Sequence, residues 1–351
     1  MWRAKIDTGL MPVSIQRPAD NALSHPRKLK KYWTFLMIGQ AETATGTATV
    51  TKRRWGELAP SWLALGMNVP TLICFVLILA YPIFFAGYLS FHEVGVRELR
   101  TGEYSFTGWA NYAELFSDPV FWKSLKNTVL FVVISVVLEV VIGLAIALVI
   151  NEHRVKLSKV TKFLILVPWA VPPIVNGFLW AFIFNTQFGY LNRLLYQLGF
   201  IEEQVIWLGN PSTAFMAIII AYVWRTVPFN ILLYHAALQG IPDHLYEAAE
   251  LDRATVWEKF RYITLPLLRP IIAVTLILRT TFAFMIFDEI FAITQGGPGN
   301  DTWVAAWYTY KTSFNPPFDI GVGAASAYVL ALIVGVVAIA YVRYVYKKVE
   351  Y

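Results

Sequence analysis

The residues of this 351-residue chain that could do chemistry lie mostly inside long apolar segments. A charged or strongly polar side chain is costly there, so it usually serves a pathway, a relay or an internal ion pair. The candidates of this kind are Glu139, Asn176, Arg225, Asn230, His235, Arg279, Asp288 and Glu289. Several prolines stand among them, and a proline within a membrane helix is tolerated beside a cavity or a neighbouring helix. These residues are therefore expected to surround a passage.

No residue pattern supports catalysis by the chain itself. A nucleotide-binding P-loop needs Gly followed by Lys, and none of the 21 glycines is followed by Lys. None of the five histidines belongs to an H-E-x-x-H pattern. The single cysteine, Cys74, excludes an intrachain disulfide and a cysteine-based metal site. We predict no catalytic residue, no metal site and no cofactor bound by this chain.

The most informative segment outside the spans is residues 241–270, IPDHLYEAAELDRATVWEKFRYITLPLLRP. Pro242 suits the first turn of a helix, and the acidic residue after it favours the same helix end. On that helix Glu247 offers a charge, while the small Ala248 and Ala249 permit close approach of another backbone. The pattern predicts a short helix on the cytoplasmic membrane face, although an EAA triplet by itself is common in soluble helices.

A second helix is predicted to follow within the same segment. Asp252 can cap it, and its start is placed near Ala254. Leu265 belongs to an apolar strip towards its end, and Pro266 and Pro270 are expected to terminate the element before the next apolar segment. The remaining charged residues are interpreted as solvated faces rather than contacts, namely Glu250, Glu258, Lys259 and Arg261.

The composition indicates what positions these residues. The chain is 57% hydrophobic and 15% charged, whereas a soluble domain carries about 25% charged residues. Six segments are long enough to cross a bilayer, which takes about 20 residues each. They are placed at about 64–90, 128–150, 163–184, 212–236, 271–294 and 319–342. The fold class predicted is all-α, a polytopic membrane protein whose third to fifth spans line the passage.

The loop charges indicate the topology. Of the 29 Lys and Arg residues, 21 lie in the N-terminal tail, in the loops 151–162 and 237–270, and in the C-terminal tail, against six in the alternate loops. By the positive-inside rule, both termini and the 241–270 segment are cytoplasmic. The basic excess of +6 lies in residues 1–60, which we treat as a cytoplasmic tail beside an anionic leaflet rather than a nucleic-acid site. Residues 61–351 form the transmembrane part.

The 241–270 segment resembles the EAA motif of ATP-binding-cassette (ABC) importer permeases. The matching residues are EAA at 247–249, DRA at 252–254 and ITLPLLRP at 263–270. The family pattern has Gly where this chain has Arg253. A left-handed residue other than Gly costs roughly 1–2 kcal/mol, so either the turn is right-handed here or that cost is accepted.

Further segments extend the resemblance over most of residues 64–351, to the maltose-type, carbohydrate-uptake branch of these permeases. No single segment is specific, but their order and spacing are. They are FTGWANYAELFSDPVFWKSLKNT (106–128), LVPWAVPPIVNGFLWAFIFN (166–185), GYLNRLLYQLG (189–199), WLGNPSTAF (207–215), VWRTVPFNILLYHAALQGIP (223–242) and LRTTFAFMIFDEIFAITQGGPGNDT (278–302).

The resemblance implies a multi-pass permease subunit of a bacterial or archaeal plasma (inner) membrane. Its partners would be a second permease subunit, two ATPase subunits that bind ATP and magnesium, and an extracytoplasmic sugar-binding protein. The coupling residues it implies are Glu247, Ala248, Ala249, Asp252, Arg253, Leu265 and Pro266. ATP-driven closure of the ATPases would move this segment as a rigid lever. Gly296, Gly297 and Pro298 would form an outer turn facing the binding protein.

An imported sugar would need hydrogen-bonding groups and aromatic faces. The side chains of the right types within the spans are Asn176, Trp180, Asn230, Phe284, Phe287 and Asp288. For each of them the alternative is helix packing or a structural hydrogen bond. Arg279 is expected to snorkel or to pair with an acid, and Glu139 is the candidate partner.

Two other classes stay open. An ion-coupled secondary transporter would use Glu139, Asp288 and Glu289 as relay groups, and an inverted repeat would favour it. The sequence shows no such repeat. A membrane enzyme or assembly factor without transport activity is the third class. A permease of the ABC type would co-purify with an ATPase subunit, whereas a secondary transporter would work alone in an ion gradient.

Overall fold

The structure, a computed structural model, describes residues 61–151 and 159–344. Helices form most of this part. The α-helices are α1 Ser61–Cys74, α2 Tyr81–Leu89, α3 Val96–Thr101, α4 Ala110–Ser117, α5 Pro119–Asn151, α6 Lys159–Ala170, α7 Pro173–Ile183, α8 Tyr190–Gln197, α9 Pro211–Leu238, α10 Asp243–Leu251, α11 Val256–Lys259, α12 Leu265–Phe284, α13 Asp288–Ile293, α14 Ala305–Phe314 and α15 Ile320–Tyr344. Two π-helical segments, Phe75–Ala80 and Phe260–Thr264, precede α2 and α12. The strands β1 His92–Glu93 and β2 Ser105–Phe106 pair antiparallel. The basic tail predicted at 1–60 lies outside the described residues.

The predicted all-α membrane architecture is confirmed. Within the described residues, five helices are long and apolar enough to cross a bilayer. They are Gly66–Leu89, Pro119–Asn151, Pro211–Leu238, Val256–Phe284 and Ile320–Tyr341. A sixth candidate is the pair Phe163–Ala170 and Pro173–Ile183, which is bent by 98°. The break falls at Pro172 and Pro173, because a proline lacks the N–H that would continue the helix.

The second span begins earlier than predicted, at Pro119 instead of 128. The Asp118 carboxylate accepts a hydrogen bond from the backbone N–H of Val120, at 2.7 Å, and so caps the helix. The amphipathic residues that follow Pro119 continue the helix into the apolar segment.

The fifth span is also displaced from its predicted bounds of 271–294. It starts at Val256 and continues through both prolines, so the predicted termination at Pro266 and Pro270 is wrong. Pro266 lies in the first turn of α12, where no intrahelical N–H is needed. The π segment directly before it absorbs the irregular backbone.

The same span ends at Phe284. Asp288 and Glu289, which were predicted to lie within it, therefore lie outside it. The backbone of Phe287 leaves the helical region, with φ −144° and ψ −53°. A new short helix, α13, starts with the two acids, and a helix N-terminus favours negative charge. Gly177 of α7 permits α13 to approach closely, because a Cβ there would lie 2.5 Å from the Cβ of Ala292.

The core lies where α9 packs along α5, α7 and α12. Phe131 of α5 contacts the ring of Tyr222 of α9 edge-on, with centroids 5.1 Å apart. A smaller cluster joins α4, the start of α5, α14 and α15 through Leu115, Phe121, Tyr308, Val322 and Ala325. Large apolar side chains that stay exposed, such as Phe84 and Phe182, suit a surface that lipid covers.

Candidate functional site

The predicted docking helix is present as α10, and its EAA residues lie on the surface. Glu247 and Ala248 are exposed and Ala249 is half-buried. Large apolar side chains are exposed beside them, with Leu251 87% and Trp257 63% exposed. A charge, two small residues and uncovered apolar area together make a surface suited to another protein.

The turn after α10 differs from its prediction at Asp252. This residue does not cap the second helix but ends the first, as the C-cap of α10. Thr255 is the N-cap of α11: its hydroxyl accepts from the Glu258 N–H at 3.3 Å, and the Glu258 carboxylate accepts from the Thr255 N–H at 2.7 Å. This reciprocal capping box satisfies two backbone donors, which a cap at Asp252 would not do.

Arg253 takes the left-handed conformation, with φ 58°. The Ala254 N–H donates to the Ala249 carbonyl at 2.9 Å, and the Arg253 N–H donates to the Glu250 carbonyl at 3.0 Å. These two bonds define a Schellman motif, whose left-handed position usually holds Gly. Of the two turns left open by the sequence, the strained one is therefore present. The strain is about 1–2 kcal/mol, and a cation at a helix C-terminus returns only about 0.3–1 kcal/mol.

Two side-chain links fasten α10 to the base of the fifth span. The Tyr246 and Thr264 hydroxyls are hydrogen-bonded at 2.9 Å. The Lys259 ammonium donates to the Glu250 carboxylate at 2.8 Å, and this contact lowers the pKa of Glu250. Glu250 stays exposed, as expected of a solvated face, but the expectation that it and Lys259 make no contact is wrong. Leu265 and Pro266 are half-buried just beyond these links. The links connect α10 to α11 and to the π segment, which both precede α12.

Two ion pairs cross the membrane-spanning core. Arg279 of α12 pairs with Glu139 of α5, the partner predicted for it, with Nη2 of Arg279 3.2 Å from Oε1 of Glu139. Arg225 of α9 pairs with Glu289 of α13 at 3.0 Å. Both guanidinium carbons lie 5.7 Å from the ring centroid of Tyr222. The two pairs and this ring connect four helices.

Two of the sugar-contact candidates, Asn176 and Asn230, are completely buried. Asn176 donates to the Ala221 carbonyl at 3.1 Å across the α7–α9 contact. Asn230 faces α5 so closely that a Cβ at Gly143 would lie 2.9 Å from its own Cβ. In this arrangement both amides lie between helices, and their role as sugar contacts stays a prediction.

The aromatic candidates lie in two places. Trp180 of α7 stacks on Phe184 and meets Trp224 edge-on, at centroid distances of 5.4 and 5.8 Å. Phe287 lies against Trp307 and Tyr310 of α14, at 5.5 and 5.1 Å.

The last two candidates flank the break between α12 and α13. Phe284 is buried, whereas Asp288 is half-exposed at the start of α13. Because α13 packs on α7, Asp288 lies beside the helix that carries Asn176 and Trp180.

The predicted outer turn is tightly built. Gly296 has φ +86°, and a Cβ there would lie 2.4 Å from the Trp307 indole nitrogen and 2.5 Å from that of Trp303. The Gly297 carbonyl accepts from the Thr302 hydroxyl at 2.8 Å. Pro298 follows directly.

The start of α5 fastens this turn. Asn127 donates to the carbonyls of Asp301 and Trp303 at 2.8 and 2.9 Å, and Lys123 pairs with Asp301. The turn is thus held in place by contacts with the start of α5.

Sequence reasoning missed the residues that make these connections. Tyr246, Thr264 and Tyr222 are uncharged, so no charge pattern could draw attention to them. Asn127 and Lys123 lie in an amphipathic stretch whose periodicity shows only which face is apolar. Arg225 lies three positions from Tyr222, but the other partners are 18 to 178 positions away along the chain, a separation that sequence periodicity does not address.

Comparison with known proteins agrees with this arrangement. Residues 139–351 match the family described as "Binding-protein-dependent transport system inner membrane component". The trehalose/maltose transport system permease protein MalF of Thermococcus litoralis is 39% identical over 79% of this chain and 91% of its own length. The sulfoquinovosyl glycerol permease SmoG of Agrobacterium fabrum is 37% identical (84% and 94%), and the lactose permease LacF of Rhizobium radiobacter 32% identical (79% and 91%).

Solved structures show the same fold. A bacterial ABC transporter involved in the import of alginate aligns with a TM-score of 0.70 at 24% identity, over 84% of this chain and 99% of that one. The same kind of transporter in complex with an alginate pentasaccharide-bound periplasmic protein aligns with a TM-score of 0.68 at 24% identity, over 83% and 96%. The chain therefore belongs to the binding-protein-dependent inner-membrane components, the multi-pass permease subunits of ABC importers.

Proposed function

We propose that this chain is the permease subunit of an ATP-driven sugar importer and that α10 docks an ATPase subunit. The observation that carries the docking proposal is the exposed EAA surface, fastened to the fifth span by the Tyr246–Thr264 and Glu250–Lys259 contacts. A docking surface can drive transport only if the movement of the docked partner is transmitted to the membrane spans. The two contacts provide this connection between α10 and the fifth span.

The movement would pass from α10 to α12 and from α12 to α5. α12 is continuous with α11 and carries Arg279 about five turns beyond the links, since a helical turn takes 3.6 residues. The Arg279–Glu139 pair then joins α12 to α5. Closure of the docked ATPases would in this way tilt two spans together, which opens the passage on the opposite side.

The sugar proposal rests on the relatives and on the site residues. The relatives cited above are named for trehalose/maltose, sulfoquinovosyl glycerol and lactose transport, all of them glycosides. Asp288 can accept hydrogen bonds from hydroxyls, and the ring of Phe287 beside it can stack on a sugar face. Trp180 on the adjacent α7 offers a second ring.

The complete importer would contain a second permease subunit, two ATPase subunits and an extracytoplasmic sugar-binding protein. The ATPases would bind ATP and magnesium, and this chain would have no ATPase site of its own. The binding protein would meet the turn at Gly296, Gly297 and Pro298. Both termini would be cytoplasmic, with the basic residues 1–60 as a separate tail, as the loop charges indicate.

Co-expression with candidate partners and purification of the complex tests the proposal. We expect an ATPase subunit to co-purify, and its ATP hydrolysis in proteoliposomes to rise with one member of a panel of mono-, di- and trisaccharides presented by the binding protein. Sugar uptake by the chain alone, driven by a proton or sodium gradient, would contradict the proposal and restore the ion-coupled alternative.

A further inference from the structure

Arg253 combines a strained backbone with a side chain that has no described partner. Its φ of 58° lies in the left-handed region, and its side chain is exposed. Among residues 61–151 and 159–344, no hydrogen bond or ion pair holds the guanidinium; its backbone N–H alone is bonded, to Glu250. No side-chain contact within the described part of the chain therefore offsets the backbone strain at Arg253.

The position itself does not require arginine. A Schellman motif asks for a residue that tolerates positive φ, and Gly or Asn does so at lower cost. Uncompensated strain of this kind is typical of residues whose side chain is used in a contact outside the chain. The side chain at 253 is therefore the feature to explain.

The surroundings of Arg253 indicate the partner. It directly follows the end of α10, after the exposed Leu251, and stands three residues before the exposed Val256. This is the surface proposed above to dock the ATPase, and a guanidinium at its edge would meet the edge of the docked subunit. A carboxylate is the group that arginine binds best, often through two parallel hydrogen bonds.

We propose that Arg253 forms a charge-assisted contact with a carboxylate of the docked ATPase subunit and so selects the chain's own ATPase. This inference rests on the proposed docking function. The contact would lie at the edge of the interface, where charge pairs mainly set specificity and association rate. A permease with Gly at this position would have no use for that carboxylate.

The test measures the dissociation constant of the purified ATPase subunit for the complete permease pair in detergent. We expect Arg253→Gly and Arg253→Asn to weaken binding about tenfold, the equivalent of about 1.4 kcal/mol, and to make it less sensitive to salt. Arg253→Lys should retain most of the salt sensitivity. The thermal midpoint of the Gly variant should equal or exceed that of the wild type, because glycine relieves the strain.

Three outcomes would overturn the inference. Unchanged binding by Arg253→Gly would show that arginine is only a tolerated helix end. A loss confined to binding of anionic lipid vesicles would assign the guanidinium to the membrane surface. Loss of the second permease subunit from the complex of the Arg253→Gly variant would assign the guanidinium to the interface between the two permease subunits. Ala248→Trp serves as the reference: if it also leaves ATPase binding unchanged, the docking function itself fails rather than the role of Arg253.

Discussion

Arg279 and Glu139 form an ion pair that is buried between the fifth and second spans. Glu139 is completely buried and Arg279 nearly so, and the guanidinium also reaches the Tyr222 hydroxyl at 3.4 Å. In a medium without water, each charge is tolerated only because the other is present. The pair therefore fixes how α12 sits against α5.

Removal of one partner should be far more harmful than removal of both. Glu139→Leu leaves a buried guanidinium without its carboxylate, which should cost about 3–5 kcal/mol of folding stability. The double variant Glu139→Leu/Arg279→Met should recover most of that loss. The measurement is the thermal midpoint of the purified permease. A single variant as stable as the wild type would contradict the structural role.

The close contact of α7 and α13 depends on Gly177. Gly177→Leu should force the two helices apart and destabilise the chain by about 1–3 kcal/mol, because no space exists next to Ala292. Gly335→Ala is the matched control, since nothing lies within 4 Å of a Cβ at that helical glycine. Equal thermal midpoints for the two variants would refute this packing.

The links between α10 and the fifth span should determine how efficiently ATP hydrolysis drives uptake. Tyr246→Phe combined with Lys259→Gln removes the hydroxyl–hydroxyl hydrogen bond and the ion pair. We expect more ATP hydrolysed per sugar imported, with ATPase docking retained. Arg261→Gln is the control, because this exposed cation forms no ion pair with the described residues. An unchanged ratio would show that the motion takes another route.

The pH dependence of that link follows from its charges. The Lys259 ammonium holds the pKa of Glu250 below its ordinary value of 4.5. A lowered carboxyl pKa means that the contact is complete above the ordinary value and is lost only as the pH falls through the lowered one. The uptake ratio of wild type to Glu250→Gln should therefore be constant between about pH 5 and pH 8. A fall of this ratio within that range would show that Glu250 is not held by Lys259.

Asp288 offers a test of the sugar path. Asp288→Leu should reduce sugar-stimulated ATP hydrolysis while the complex still assembles, because an alkyl group accepts no hydrogen bond from a hydroxyl. Asp288→Asn retains an acceptor and should retain part of the stimulation. Full stimulation of the leucine variant would remove Asp288 from the path.

The sequence alone predicted the features that depend on composition and local pattern. Long apolar segments located the spans, and the residues around Glu247 located the helix α10. The break in the third span was foreshadowed by Pro172 and Pro173, since proline acts through the backbone. Each of these features is determined by interactions between residues close in the sequence or by contact with the surrounding solvent or lipid.

The errors came where tertiary contacts decided the outcome. Pro266 and Pro270 did not end a helix, because a π segment before them and neighbouring spans accommodate the backbone. Asp252 lost the capping position to Thr255, whose partner Glu258 completes a reciprocal pair. The role of Asn230 as a sugar contact, which was assigned by residue type alone, stays a prediction, because its burial against Gly143 shows only the packing around it.

The coupling claim is tested most directly by placing bulk on the EAA surface. Ala248→Trp adds a large ring to the exposed face of α10, and Ala113→Trp adds the same ring to the exposed face of α4, outside the 241–270 segment. The measurement is sugar uptake together with the amount of ATPase subunit bound to the purified permease. The account predicts that Ala248→Trp loses both while Ala113→Trp keeps the ATPase bound. Normal uptake with normal ATPase association in Ala248→Trp would contradict it.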